Sequence, residues 1–446
     1  MELNKHYDVI IFGAGPGGTA AAYGVAHKKS VLVIENDLFG GTCPNRGCDP
    51  KKMLYSAVQA KVRATNLQGS GLKGVPTIDW PDLMAFKRQY TRQIPKETEN
   101  GLQQAGIATY HGQVHFLDEQ HVQLADKTII SGDDFILATG RRPRLLDIPG
   151  QEYLKTSTDF LDLDALPKRM TFVGAGLVTM ELANIANQAG VAVDILHHND
   201  QPLKEWPTPL VTQLVESMAS AGIHFHFNTN LTAITKQAGG YQLTTDQGIL
   251  SSDYVVAAVG RIANTEALKL ENCGVTVTKR GIAVDDHLQT STPHIYALGD
   301  VMAKPQPKLT PVAAYEGQYL AQLLTGQNTE AIDYPVIPQI LFGTAEVSQV
   351  GVTYQTAENH PKAYQISTLD LTHWYTYNRL KDPLAQAVII RATATQQVVG
   401  FAAFTTAGEQ LLNLFSLIMN LKLSNTQIQE MIFAYPTAAS DLTYLM

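Results

Sequence analysis

The stretch YDVIIFGAGPGGTAAAYGVAHKKSVLVIEND (7–37) decides how this chain folds. Its apolar run Asp8–Phe12 reads as a buried strand that feeds into Gly13, Gly15 and Gly18. A small-residue helix follows, then a second strand, Ser30–Ile34, ending at Glu35. Strand, G-x-G-x-x-G turn, helix, strand and an acid about 20 residues on make up a dinucleotide-binding fingerprint. The glycines let the backbone approach a pyrophosphate at a helix N-terminus. Glu35 is placed to bind a ribose hydroxyl.

The pattern recurs in MTFVGAGLVTMELANIANQAGVAVDILHHND (170–200). Gly174 and Gly176 hold the first two glycine positions and Thr179 the third. Its second strand ends in His197 and His198, where an acid would favour NAD. Two such units imply two dinucleotides, such as a flavin and a nicotinamide. The chain between them is dissimilar, so this is no solenoid. Further strand-then-glycine segments are DDFILATGRRP (133–143), DYVVAAVGRIANT (253–265) and HIYALGDVM (294–302). From about Tyr334 strand-like runs give way to helical ones, which predicts an α+β C-terminal domain.

The length of 446 residues suggests roughly two to four domains. Hydrophobic residues make up 45% and charged ones 17%, an ordinary globular balance. No apolar run approaches the ~20 residues of a membrane span. The N-terminal apolar run ends in glycines and reads as a strand, not a signal peptide. A net charge of −8 without a long basic run argues against nucleic acid and anionic membranes as partners. Three cysteines are too few for a secreted disulfide scaffold, so a cytoplasmic location is expected.

Across nearly its whole length the chain resembles the pyridine nucleotide–disulfide oxidoreductases. The resemblance is carried by GAGPGG, GGTCPNRGCDPKK, LATGRRP, GAGLVTMELA, VGRIANT, IYALGDV and LTPVA, in the family's order. It implies an α/β chain with two Rossmann-like dinucleotide-binding domains, for FAD and NAD(P)H, plus a C-terminal α+β dimerisation domain. The expected boundaries are 1–150 with 266–332 for FAD, 151–265 for NAD(P)H and 333–446 for dimerisation. It also implies a homodimer whose active sites draw on both chains.

Cys43 and Cys48 lie in GGTCPNRGCDPKKML (40–54). No second cysteine pair and no nearby His accompany them, so metal is not expected. Asp49 and Pro50 look like an N-cap and first helical residue. A thiolate at Cys48 would then feel the positive end of a helix, which lowers its pKa. By resemblance, Cys48 faces the flavin and Cys43 attacks substrate. Lys51 and Glu181 match the lysine–glutamate pair that the family keeps near the flavin.

For FAD the resemblance implies Gly13, Gly15, Gly18, Glu35, Gly41, Thr42, Thr139, Gly140 and Asp300. For the nicotinamide it implies Gly174, Gly176, Glu181, Gly260 and Arg261. His197, His198 and Lys204 lie where the family's NADPH enzymes hold basic residues, so NADPH is expected, with NADH possible. Cys273 reads as a bystander.

Several positions depart from the family. Its reductases end in H-P-T with an acid close behind, and the His serves the partner subunit's thiols as acid/base. Here the tail is FAYPTAASDLTYLM (433–446), with Tyr435 in the His position and Ser440, then Asp441, where the acid belongs. A phenol with pKa about 10 is a poor base at neutral pH but can donate a hydrogen bond. His360–Pro361 comes too early to replace it. The arginines that hold glutathione's carboxylates in glutathione reductase correspond to Tyr23 and Gln318, neither of them charged. Asp49 replaces an apolar residue. Mercuric reductase needs a C-terminal cysteine pair, and none follows Cys273.

The expectation is an FAD-containing, NAD(P)H-dependent reductase with a Cys43–Cys48 redox disulfide, acting on a small-molecule disulfide or thiol-reactive substrate, glutathione-reductase-like. The alternative is a flavin reductase of metal ions, quinones or other oxidants that need no His.

Overall fold

A computed structural model describes residues 3–446 of the protein. The chain divides into two compact units, the first formed by Met1–Lys51, Ala85–Arg144 and Gly260–Asp333. Its sheet runs in the order Ala108–His111, Val31–Glu35, His6–Phe12, Ile129–Leu137, His121–Leu124, Val114–Phe116. Ile295–Ala297 also pairs with Ile129–Leu137. The strands from Ala108–His111 through Ile129–Leu137 are parallel, as is Ile295–Ala297, and the remaining hairpin is antiparallel. Strand His6–Phe12 pairs with strands reached in opposite directions, with Phe12 opposite both Ile34 and Leu137. A crevice therefore opens beyond its C-terminal end, where doubly wound sheets bind ligands. Gly13 leaves this end of one strand, and Thr139–Gly140 follows close after its neighbour.

Helix Pro16–Val25 packs tightly on helix Thr310–Leu324. A Cβ on Gly17 would lie 2.9 Å from Ala313 O, and one on Gly317 would lie 2.4 Å from Gly17 O. The small residues of GPGGTAAA thus serve helix packing as well as the turn. Phe12, Phe116 and Phe135 fill the core on the sheet, with ring centroids 5.2–6.2 Å apart.

The second unit comprises Lys52–Met84, Leu145–Val259 and Tyr334–Met446. The segment 52–84, expected within the first domain, clusters here. A parallel sheet runs Ile223–His226, Ala192–Leu196, Arg169–Val173, Tyr254–Ala257. An antiparallel sheet, Leu231–Gln237, Gly240–Thr245 and Gly248–Ser252, adjoins it in sequence. The C-terminal stretch forms a five-stranded antiparallel sheet: Gln339–Phe342, Glu346–Gly351, Val398–Thr405, Gln386–Ala392, Tyr364–Asp370. Helix Gly408–Asn420 covers it, with Phe415 stacked on Phe401 at 3.9 Å. Its apolar residues recur at helical spacing (Leu411, Leu412, Phe415, Ile418), which is why it lies on the sheet. Among the described residues no helix is long and apolar enough to cross a membrane.

Candidate active site

The first glycine turn does two separate jobs. Gly13 has φ +105°, and a Cβ there would sit 2.4 Å from Ala138 O. A Cβ on Gly18 would come within 2.0 Å of Gly13 O. These positions exclude side chains for the sake of the fold. Gly15 is ordinary extended backbone, and its nearest neighbour to an added Cβ is 3.8 Å away. Gly140 has nothing within 4 Å of one. Bare Gly15 thus leaves the head of helix Pro16–Val25 open, and Gly140 is likewise uncrowded. Gly41 is tight, since its Cβ would lie 2.6 Å from Gly15 Cα, and Thr42 opens the short helix Thr42–Arg46.

Glu35 is buried. Its two oxygens accept hydrogen bonds from Ala14 N and Asp37 N, each at 2.9 Å. Burial pushes its pKa up, and these bonds oppose the rise. The carboxylate is thereby fixed at the strand end, with acceptor capacity remaining for a ribose hydroxyl. Thr139 Oγ1 donates to Asn264 O at 2.6 Å. Burial also raises the pKa of Asp300, countered first by Arg261, then by Lys308 and Arg141. Arg141 Nε donates to Asp300 O at 2.6 Å, and Arg261 donates to Arg141 O. Gly260 and Arg261, assigned from sequence to the nicotinamide, thus fall in the first unit, with Arg261 beside Asp300.

Cys43 lies in helix Thr42–Arg46, and Cys48 is the first residue of helix Cys48–Asn66. Cys48 is exposed and Cys43 half-buried. A hydrogen bond with Cys48 is the largest cause of a strongly raised Cys43 pKa; burial and the charges of Cys48 and Asp49 add to it. Cys48 Sγ is 4.0 Å from Thr310 Oγ1. Asp49 is not the N-cap expected from the sequence, because the helix already begins at Cys48. Its carboxylate instead faces Cys43 Sγ at 3.8 Å and accepts from the Tyr90 hydroxyl at 2.9 Å. Lys51 sits in the first turn of the same helix.

The second glycine turn repeats the first. Gly174 has φ +99°, and its Cβ would lie 2.5 Å from Ala258 O. Gly176 heads helix Leu177–Gln188 with nothing within 4 Å of an added Cβ. Thr179 is fully buried. His197 does here what Glu35 does in the first unit, because its Nδ1 accepts from Ala175 N at 3.2 Å. Nδ1 therefore carries no proton, and Nε2, 3.3 Å from Gln201 O, does. Burial lowers the pKa of this ring. His197 is buried and its Nδ1 is taken up by Ala175 N, so the side chain braces the turn. His198 and Lys204 are exposed and remain the basic groups of this loop.

Glu181, on helix Leu177–Gln188, is buried. Its Oε1 accepts from Lys52 Nζ at 3.2 Å and from Phe342 N at 2.9 Å. The Lys52 ammonium also lies 2.9 Å from the Phe342 ring centroid and 5.6 Å from that of Tyr55. Lys52 is therefore a partner of Glu181, and the doubled lysine was its only sequence signal. Glu346, not foreseen, is buried in this unit. Burial pushes its pKa up to about 7, against a hydrogen bond from Glu409 N and the charge of Lys52. Tyr435 is 75% exposed and stacks on Tyr375 at 6.2 Å and 18°. Asp441 is buried with Thr376 and Tyr377.

Both bare hollows at helix heads suit the diphosphates of FAD and of NAD(P)H: N-terminal N–H groups and the positive helix end favour phosphate. Two dinucleotide turns and a cysteine pair at a helix start define a flavin- and nicotinamide-dependent disulfide oxidoreductase. Residues 7–317 match the family described as pyridine nucleotide-disulphide oxidoreductase, and 337–445 match its dimerisation domain. The chain belongs to this family, whose members depend on FAD and use NAD(P)H. It is 29% identical to a dihydrolipoyl dehydrogenase of Chlamydia pneumoniae over 442 residues, covering 98% of this chain and 95% of that one. It is 31% identical to a glutathione reductase of Nostoc sp. over 363 residues, 78% of each chain. Among solved structures, the HOCl-induced flavoprotein disulfide reductase RclA from Escherichia coli superposes with TM-score 0.89 at 22% identity, covering 98% of this chain and 99% of that one. A Cu(II) complex of a mutant of that protein gives TM-score 0.90 at 23% identity, covering 99% of each.

Proposed function

We propose that the protein reduces a low-molecular-weight disulfide or thiol-reactive substrate at Cys43, as a homodimer in the cytoplasm. The cysteine pair carries this reading: two thiols in hydrogen-bond contact, one at a helix start and one beside it. FAD, when bound, would supply the chemistry that passes the electron pair of NAD(P)H to the Cys43–Cys48 disulfide. Gly15 and Gly140 would leave the backbone open to FAD, Gly13 and Gly18 hold the turn that exposes it, Gly41 and Thr42 lead into the cysteine helix, Glu35 would hold a ribose, and Asp300 with Arg261 would orient the flavin side. Gly174 and Gly176 receive the nicotinamide's diphosphate. Lys51, by its place in the family motif, would supply positive charge to the flavin, and Lys52 is paired with Glu181 within the second unit. The Cys48 thiolate is stabilised by the start of its helix.

The experiment is a panel of small disulfides assayed with NADPH and with NADH. Turnover of at least one disulfide, abolished by Cys43→Ser, is the expected result; no turnover of any disulfide refutes the reading. NADPH is the expected donor, because His198 and Lys204 face solvent where a carboxylate would be needed for NAD. Lys204→Glu is expected to raise the KM for NADPH about tenfold and leave that for NADH nearly unchanged.

In this reading Tyr435, stacked on Tyr375, packs and does not transfer protons, because a phenol with pKa about 10 is a poor acid/base at neutral pH. Tyr435→Phe is expected to keep kcat within about threefold. A loss beyond about a hundredfold would make it the proton donor. A second reading, reduction of a metal ion, is favoured by Tyr435 in place of His and by the Cu(II) complex of the structural neighbour's mutant. NAD(P)H oxidation driven by Cu(II) but by no disulfide would select it.

A further inference from the structure

The reductase reading leaves Asp49 without a task. The structure places its carboxylate against the sulfur that would meet substrate, 3.8 Å from Cys43 Sγ. Tyr90, 43% exposed, donates to the other carboxylate oxygen at 2.9 Å and holds it in place. A phenol is a hydrogen-bond donor to a carboxylate, so the pair keeps Asp49 as an acceptor with its charge turned toward Cys43. Glu97 adds a further negative charge that bears on Tyr90. Arg46, the cation nearest to Cys43 in sequence, is paired with Asp37, and Lys51 lies two residues beyond Asp49 on the same helix. Tyr23 and Gln318 are exposed and uncharged, and the whole chain carries −8.

We propose that Asp49, held by Tyr90, makes Cys43 selective for cationic and neutral disulfides over anionic ones. This rests on the reading of Cys43 as the sulfur that attacks substrate. In that step the Cys43 thiolate attacks one sulfur of the substrate, the substrate S–S bond breaks, and the departing thiolate takes a proton from solvent. The Cys48 thiolate then displaces the second substrate thiolate from Cys43, which also takes a proton from solvent, and the Cys43–Cys48 bond forms. The dithiol loses the electron pair that the substrate gains. Negative charge grows on the departing sulfur beside Asp49. An ammonium on that fragment offsets it, whereas a carboxylate adds to the repulsion.

The test measures kcat/KM with NADPH for a charge series: cystamine (cationic), bis(2-hydroxyethyl) disulfide (neutral) and dithiodipropionate (anionic). The wild type is expected to prefer cystamine over dithiodipropionate by at least about tenfold at low salt, with the ratio shrinking in high salt. Asp49→Asn is expected to bring the ratio within about threefold of unity, and Asp49→Glu to keep most of it. A general rise in rate from a more acidic Cys43 cancels in the ratio. A wild-type ratio near unity, or one that Asp49→Asn leaves unchanged, overturns the proposal. Should Asp49→Asn fail to fold, Tyr90→Phe, which removes the hydrogen bond that holds the carboxylate, is expected to lower the ratio, and a ratio it leaves unchanged overturns the proposal. Counting thiols after anaerobic NADPH reduction separates the two levels. If no new thiol pair appears, both the disulfide reading and this inference fall; if the pair appears without charge preference, only the inference falls.

Discussion

Cys48→Ser is expected to lower disulfide turnover by roughly a thousandfold or more. The serine cannot form the internal disulfide, so any adduct at Cys43 loses the thiol that would release it. Cys43 cannot take over both tasks, because a single thiol can form the mixed disulfide but cannot displace the substrate from itself. NAD(P)H should still bleach the flavin of the variant in a single anaerobic turnover. Thiol counting after reduction should then show no gain where the wild type gains a pair. Undiminished disulfide turnover would mean that electrons leave by a route that bypasses the cysteines.

Gly18→Ala should remove the holoenzyme altogether. Its Cβ would come within 2.0 Å of Gly13 O, a backbone atom in the turn that Gly13 holds at φ +105°. Neither can yield without displacing helix Pro16–Val25, itself packed close against helix Thr310–Leu324 through Gly17 and Gly317. A destabilisation of about 4 kcal/mol is expected, with FAD lost on purification. Gly15→Ala is the contrasting case. Its nearest neighbour is 3.8 Å away and its backbone is extended, so the apoprotein should unfold as the wild type does while FAD binds at least about tenfold more weakly. Equal FAD retention by both variants would show that the hollow at Gly15 is not where the diphosphate lies.

Much of this protein was legible before folding, and for a local reason. A G-x-G-x-x-G turn needs glycine for steric reasons contained within one strand–turn–helix, so Gly13, Gly18 and Gly174 announce it without knowledge of the rest of the chain. The strand ending at Glu35 is equally local, because its acid reaches back to Ala14 only 21 positions away. The order of motifs, the two dinucleotide units and the α+β C-terminus follow from the same kind of pattern.

What stayed hidden depends on the direction of side chains between distant segments. His197 looked like a surface base, but the parallel sheet and the turn at Gly174 bury it and bring its Nδ1 onto Ala175 N, and burial lowers its pKa. Lys52 and Glu181 lie 129 positions apart and meet where strand Gln339–Phe342 contacts both, through Phe342 N and its ring. Arg261 joins Asp300 because strand Arg261–Ala263 pairs with Arg141–Pro143. Asp49 could be read from sequence as a helix cap, since residue type and spacing allowed it. Its contact with Tyr90, 41 positions away, turned it toward Cys43 instead. Sequence by itself determined the cofactor cradles and the cysteine pair, because backbone sterics and short spacing suffice for them. Tertiary structure alone decided which charges face those sulfurs, because that is set by packing between segments that no local pattern relates.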